Sequence, residues 1–294
     1  MPADLLGAAL TAFGVTPTGA PASAEARSGA GVHQVRTAAG APAYLKVTPV
    51  ALGAWAVAAA ERELRFYRAV APTLPVPTPA LLDAAALPAG LALLLSDAGA
   101  ARPASAWTDR DWAELGGQLA VLHSSPLPEG SWDRRDPLRE PLPDAGLVRA
   151  FWASDLPDVL PEHRARIVER LDARPTVFVH GDCHAANVLH SGRGLALCDW
   201  QSAGFGRASA DLAFLSVRAA PAGVRIPPTL LAGYLARSPA DADALRRAVL
   251  LEELATYVFE WPAYAGYNDA AGIARVRRRT RALADRLRDA LTEP

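Results

Sequence analysis

The stretch Val177–Ala213, VFVHGDCHAANVLHSGRGLALCDWQSAGFGRASADLA, constrains this chain more than any other. A short apolar run, Val177-Phe178-Val179, ends at His180-Gly181-Asp182, and Asn187 follows five residues after Asp182. A second apolar run, Leu195 to Cys198, ends at Asp199-Trp200. The pattern predicts two adjacent short strands, each delivering a carboxylate at its C-terminal end, with an amide in the loop between them. Two Asp and one Asn make a hard, oxygen-rich donor set, which suits Mg²⁺ bridging substrate phosphates.

The protein-kinase catalytic loop, H-R-D-x-x-x-x-N, also sets a base Asp and a metal-binding Asn five apart, with a metal-binding Asp downstream. Here Gly181 replaces the Arg. The H-G-D-x-x-x-x-N form, the following Asp199-Trp200 and the later Asp211-Leu212-Ala213 resemble the aminoglycoside phosphotransferase and choline kinase-like superfamily. That resemblance implies an α+β, two-lobed, protein-kinase-like fold. A small N-terminal antiparallel-sheet lobe would carry one key helix, and the larger C-terminal lobe would be mostly helical. It implies lobes at 1–99, with the nucleotide site and hinge, and at 100–294, with the catalytic and acceptor sites.

The remaining parts of such a fold can be sought upstream. Residues 3–14 read as a short amphipathic helix. Gly29-Ala30-Gly31 forms a small-residue turn before an alternating segment, and Ala43-Tyr44-Leu45-Lys46-Val47 reads as the paired strand. A lone Lys amid apolar strand residues is costly unless paired. Ala54–Ala71 reads as a helix stopped at Pro72, and it carries Glu63, with Glu61 as a competing partner on another face. The resemblance implies that Lys46 holds the α- and β-phosphates of ATP, that Glu63 orients it, and that Gly29 and Gly31 approach phosphate. It also places the adenine hinge after the buried strand Gly90–Ser96, through the Ser96 carbonyl and the Ala98 N–H.

Downstream, Trp107–Ser124 reads as a helix with capping residues at its start, and His123 near its end reads as a structural hydrogen-bonding group. Residues 125–146 form a long loop rich in Pro, Asp and Arg, placed to touch the acceptor. Two helical segments broken around Pro157 and Pro161 follow, and 201–206 reads as a loop. Further helices are predicted at 227–236, 241–261 and 272–291. Glu253, Tyr257, Glu260 and Trp261 are spaced to share a helix face, so acids and aromatics there are candidates to receive an acceptor. In the last helix, Arg275, Arg277, Arg278 and Arg281 read as a solvated basic face.

Composition bounds the partners. The net charge of −1 provides no electrostatic argument for nucleic acid or an anionic membrane. No apolar run reaches the roughly 18 residues of a membrane span. No basic-then-apolar leader opens the chain, so no signal peptide is expected. The two cysteines, Cys183 and Cys198, do not make a disulfide framework. Cys183, beside Asp182, reads as a small buried residue or as a sensitive thiol. A cytoplasmic monomer or dimer fits these features.

The resemblance then implies a reaction. Asn187 and Asp199 hold Mg²⁺ on ATP, and Asp182 is the base toward a small-molecule hydroxyl. His180 and Asp211 support the loop, and His184 serves loop geometry or a contact near the nucleotide. The expected acceptor is an aminoglycoside or another antibiotic, with an amino alcohol, amino acid or sugar metabolite as the alternative. A non-catalytic nucleotide-binding protein is the remaining reading. The chain departs from the superfamily at Cys183-His184-Ala185-Ala186, where a Leu-His-Pro-Gly type of sequence is common, and in its incomplete glycine turn. No A-P-E motif follows Asp199, and Trp200–Asp211 is short for an activation loop, which disfavours a protein kinase.

Overall fold

Alternating apolar residues between Gly31 and Ser96 build a sheet, and everything after Arg102 is dominated by helices, so the fold is α+β. The computed structural model describes residues 5–19, 31–141, 144–156 and 162–292, with the side chains of 162–163 and 288–292 excluded. Gly29, Pro157 and Pro161 therefore lie outside the described residues. In chain order the first elements are α1 (Leu5–Phe13), β1 (Thr16–Pro17), β2 (Gly31–Arg36), β3 (Pro42–Pro49), α2 (Ala54–Ala69), β4 (Leu81–Leu87), β5 (Gly90–Ser96) and β6 (Ala100–Ala101). Next come α3 (Asp109–Ser124), α4 (Ala145–Trp152), α5 (Glu162–Asp172), β7 (Thr176–Val179), β8 (Val188–Ser191), β9 (Gly194–Leu197) and β10 (Gly204–Arg207). The chain continues with α6 (Ala208–Ala219), α7 (Pro228–Leu235), α8 (Ala242–Ala255) and α9 (Ala270–Thr292).

The chain packs as two compact units, Met1–Ala101 with Val188–Ala203, and Arg102–Asn187 with Gly204–Pro294. In the first, an antiparallel sheet runs β1-β2-β3-β5-β4. Side chains alternate across a strand, and β3 uses both faces. Ala43, Leu45 and Val47 join Ala92 and Leu94 in a core under Leu5 and Ala9 of α1. Lys46, opposite Val32 and Leu93 in register, turns the other way and is buried. Helix α2 buries Ala56, Ala60, Glu63, Phe66 and Tyr67, a helical stripe containing one acid. The β8–β9 hairpin belongs to this unit because β8 pairs with β6 and the Leu197 N–H donates to the Pro77 carbonyl at 2.9 Å.

In the second unit, α3 opens on a reciprocal capping box between Thr108 and Asp111. It lies against α7 at backbone distance. A Cβ on Gly116 would meet the Leu230 carbonyl oxygen at 2.0 Å, and one on Gly233 would meet that of Ala113 at 2.1 Å. Buried Trp152, Ile167, Leu254, Tyr257, Val276 and Leu283 join α4, α5, α8 and α9 in one core.

Three expectations change. Strands β7 and β9 are not neighbours: β7 pairs with β10, and β9 with β8. The predicted loop 201–206 instead contains a 3-10 turn, Trp200–Ser202, and the start of β10. Four residues with two glycines carry too little pattern to read, although Gly206 is required where a Cβ would stand 2.9 Å from Val179. The basic side of α9 is not simply solvated. Arg275 donates to the Pro221 carbonyl (2.7 Å), and Arg277 and Arg281 both reach Asp155 (3.1 and 3.2 Å). No described helix is long and apolar enough to cross a membrane.

Candidate active site

Lys46 is the charged centre of the first unit. Its Nζ lies 2.6 Å from Glu63 Oε2 and 2.7 Å from Asp199 Oδ1. The Lys46 and Glu63 side chains are 9% and 1% exposed, whereas Asp199 is 38% exposed. Burial alone would lower the Lys46 pKa, but Asp199 and then Glu63 outweigh it and hold the amine charged. Burial pushes the Glu63 carboxyl up, with Lys46 opposing. One cation thus serves two carboxylates, one of them in a water-poor setting. Of the two candidate acids on α2, Glu63 is the one that meets Lys46.

Asp199 has a left-handed backbone, φ 63°, and is the one described non-glycine residue with positive φ. Asp tolerates this region better than most residues, and such strain clusters at functional sites. Behind it, Trp200 is fully buried and stacks on Phe66 of α2 at 3.9 Å and 9° between planes. The Trp after the Asp therefore ties the β9 end to the helix that carries Glu63. Ser96 ends β5, and its N–H donates to the Ala80 carbonyl at 2.9 Å. Ala98 lies in the short connection between β5 and β6, and Gly31 opens β2.

The second unit holds the His180–Asn187 loop. Buried Asp211 clamps its backbone: Oδ2 accepts the His180 N–H (2.8 Å) and Oδ1 accepts that of Gly181 (2.9 Å), where φ is 80°. His123 Nε2 meets Asp211 Oδ2 at 3.2 Å, and its Nδ1 meets the Tyr234 hydroxyl at 3.2 Å. Burial would raise the Asp211 carboxyl, but His123, His180 and the Gly181 N–H together hold it below its usual range. His180 is itself fully buried, and its Nδ1 accepts the Asp182 N–H at 3.3 Å.

The Asp182 side chain is 37% exposed. Asn187 Nδ2 donates to the Asp182 backbone carbonyl (2.9 Å) and to its carboxylate (3.3 Å). With the amide nitrogen so committed, the carbonyl oxygen is the end of Asn187 suited to a cation. His184 Nε2 stands 3.6 Å from Asp182 Oδ2, and its Nδ1 accepts the Ala186 N–H. Cys183 is fully buried, and burial pushes its thiol up, which fits a packing residue rather than a reactive one.

Of the four residues expected to share an acceptor-facing helix surface, Glu253, Tyr257 and Trp261 are buried. Helix α8 passes into a π-helical turn, Thr256–Glu260, which shifts the register on which that surface was drawn. Glu253 is 2% exposed and takes both Arg279 Nε and Nη2 at 2.8 Å, plus the Ser216 hydroxyl at 2.7 Å. Tyr257 is fully buried and donates to the Ser216 carbonyl at 3.3 Å. Trp261 is buried edge-on to Phe151. Only Glu260 is partly exposed. Burial, then Glu252 and Asp136, push its carboxyl up to about 7, against Arg134 and Arg207.

A set of residues near Glu260 had no signal in the sequence. Arg207, at the end of β10, bonds Glu252 Oε1 at 2.5 Å and Asp136 Oδ2 at 2.6 Å. Burial would lower the Arg207 pKa, but Glu252 and Asp136 raise it. Asp136 belongs to the long loop after α3, so a buried cation anchors that loop. Its partners lie 71 and 45 residues away in sequence, and nothing local marks them as a set.

Comparison with known proteins bears on the family and the fold. Over 113 residues the chain is 34% identical to a thiamine kinase from Escherichia coli, a match spanning 35% of this chain and 36% of that relative's length. Its fold is similar to that of an amicoumacin kinase solved with AMP-PNP, Ca²⁺ and Ami. There the TM-score is 0.64 at 16% identity, over 91% of this chain and 88% of the other. It is also similar to an ethanolamine kinase from Plasmodium vivax, with TM-score 0.61 at 12% identity, over 92% and 82% of the two chains. At these identities the structural likeness speaks for a kinase-like fold alone. The family model described as the phosphotransferase enzyme family matches residues 25–267, a span that takes in Lys46, Glu63, Asp182, Asn187, Asp199 and Asp211 together, and the chain belongs to that family.

Proposed function

We propose that the protein transfers the γ-phosphate of ATP to a hydroxyl group of a small molecule. The observation that carries this reading is the buried Lys46 held between Glu63 and Asp199. A strand lysine with an orienting helix carboxylate and a more exposed downstream Asp is the arrangement phosphoryl transfer needs, because that reaction depends on positioning and charge neutralisation. Lys46 binds α- and β-phosphate oxygens, and Glu63 keeps its amine aimed. Asp199 and Asn187 would hold Mg²⁺, which would supply positive charge against the phosphates. The Ser96 carbonyl and Ala98 N–H take the adenine edge, and Gly31, at the start of β2, lets the backbone approach the phosphates.

Asp182 accepts the hydrogen bond of the acceptor hydroxyl. As the new O–P bond forms and the bond to the ADP oxygen breaks, the hydroxyl proton passes to its carboxylate. Asp211 acts on the reaction only through the loop backbone. Two free cysteines and a need for ATP fit a cytoplasmic setting.

For the acceptor we favour an aminoglycoside or a similar polar antibiotic. Glu260 is the partly exposed acid retained from the expected acceptor surface, and the 125–146 loop anchored through Arg207 lies in the same unit. A small metabolite with a hydroxyl is the second reading, favoured by the sequence match to a relative named thiamine kinase. An ATP-consumption screen across aminoglycosides, macrolides, amino alcohols, thiamine and sugars separates the two. On the acceptor found, Asp182→Ala is expected to lower kcat by at least about 10²-fold while nucleotide affinity stays within error. Near wild-type turnover by that variant sinks the assignment of Asp182.

A further inference from the structure

Lys46 and Asp199 serve two different ligands in the proposed reaction, phosphate and metal, yet in the structure they are bonded to each other. Lys46 Nζ lies 2.7 Å from Asp199 Oδ1 and 2.6 Å from Glu63 Oε2. The two bonds differ in setting. The Glu63 side chain is 1% exposed, so its bond to Lys46 is sealed from water, whereas Asp199, at 38%, is open to solvent. Water screens an exposed ion pair far more than a buried one, so the Asp199 bond is the exchangeable one.

Both partners are held in place. Lys46 lies within β3, which is paired by β2 on one side and β5 on the other. Asp199 is followed by Trp200, which is fully buried and stacked on Phe66 of α2 at 3.9 Å. A divalent cation on Asp199 therefore sits beside the Lys46 ammonium, and like charges at that range repel. It must also displace a charge-assisted hydrogen bond. Phosphate oxygens reverse both effects. They offer the ammonium, with its three N–H donors, another acceptor, and their negative charge offsets that of the metal.

We propose that Lys46 makes metal binding at Asp199 depend on the nucleotide: its ammonium holds the carboxylate against a divalent cation until phosphate oxygens draw it away. Metal and nucleotide then enter together, rather than the metal first. This order of entry rests on the reading of Asp199 as a metal ligand and adds to it.

The test titrates the full-length protein, without nucleotide, with Ca²⁺ by calorimetry and by thermal melting. Wild type and Asp199→Asn are expected to behave alike, because Lys46 already engages the carboxylate. Lys46→Ala is expected to gain one Ca²⁺ site, at least about tenfold tighter than any in the wild type, the factor a hydrogen bond between charged groups is worth. Its Tm should rise on adding Ca²⁺. The position vacated by the ammonium lies 2.6 and 2.7 Å from two carboxylate oxygens, close to the roughly 2.3–2.6 Å of Ca²⁺–oxygen bonds. Lys46→Ala/Asp199→Asn should lose that site. If Lys46→Ala is too unstable to titrate, Lys46→Ala/Glu63→Gln removes the stranded buried carboxylate and should still bind Ca²⁺ more tightly than the wild type, through Asp199. Asp199-dependent Ca²⁺ binding by the wild type, no gain in the Lys46 variants, or a gain that survives Asp199→Asn overturns the proposal. Failure of the underlying reading looks different: Asp199→Ala would then leave the Mg²⁺ dependence of AMP-PNP binding unchanged.

Discussion

At the residue scale, the molecule places unusual demands on Lys46. It neutralises a carboxylate that is 1% exposed, so removing it strands a charge. Breaking a buried pair by deleting one partner costs about 3–5 kcal/mol. Lys46→Met is therefore expected to lose about 3 kcal/mol in urea unfolding at neutral pH. Adding Glu63→Gln should recover more than half of that loss, because the stranded charge is gone. Equal losses in the single and double variants would show that the two are not coupled. Glu260 makes the opposite demand. Its carboxyl, raised from 4.5 to about 7, keeps in the folded protein a proton that the unfolded chain releases near 4.5. The folded state then binds more protons, so stability falls as pH rises through that window. Glu260→Gln should flatten this slope and be the more stable protein at pH 8, by about 1–2 kcal/mol. An unchanged slope between pH 4.5 and 7 would show that Glu260 is not the group responsible. Lys46 and Glu63 were legible in the sequence only beside the resemblance: a lysine in an apolar strand is costly unless paired, and the kinase arrangement supplies a helix acid, with Glu61 as the rival. The fate of Glu253 was not legible, because Arg279 and Ser216 reach it from other helices.

At the element scale, the contact between α3 and α7 shows what local pattern cannot reveal. Gly116 and Gly233 look like weak points in helices, since glycine costs about 1 kcal/mol relative to Ala. Here each faces a backbone carbonyl of the other helix, and a methyl group has no room. Gly233→Ala should destabilise by about 2–3 kcal/mol through overpacking. Gly117→Ala is the internal control. Its Cβ would meet only the flexible Arg237 side chain, at 3.2 Å, so that change should be neutral or slightly stabilising. Similar melting curves for the two alanine variants would rule out the backbone contact. The same scale explains why β10 and the π-helical turn escaped the sequence reading. A strand of four residues has little periodicity, and a single added residue in a helix shifts a face without changing composition.

At the scale of the whole molecule, the proposed reaction predicts a linkage between ligand and stability. A nucleotide that binds only the folded protein raises stability by about 2.7 kcal/mol at about 100 times its Kd. ATP with Mg²⁺ should thus raise Tm by several degrees, and EDTA or Asp199→Ala should remove most of that increase. A Tm shift that ignores both would count against the metal role of Asp199. The H-G-D-x-x-x-x-N loop, the strand lysine, the helix acid and the later Asp-Trp and Asp-Leu-Ala were determined by sequence alone, because their chemistry depends on residue type and short spacing. Together they specify the family and the α+β class. The tertiary structure alone decided that β7 pairs with β10 rather than β9, that Asp211 clamps two backbone amides, and that Arg207 anchors the long loop through Asp136. It also drew Glu253, Tyr257 and Trp261 into the core. Burial and partner choice come from elements far apart in the chain, and the free energy of a charge or an aromatic ring depends on those surroundings rather than on its sequence neighbours.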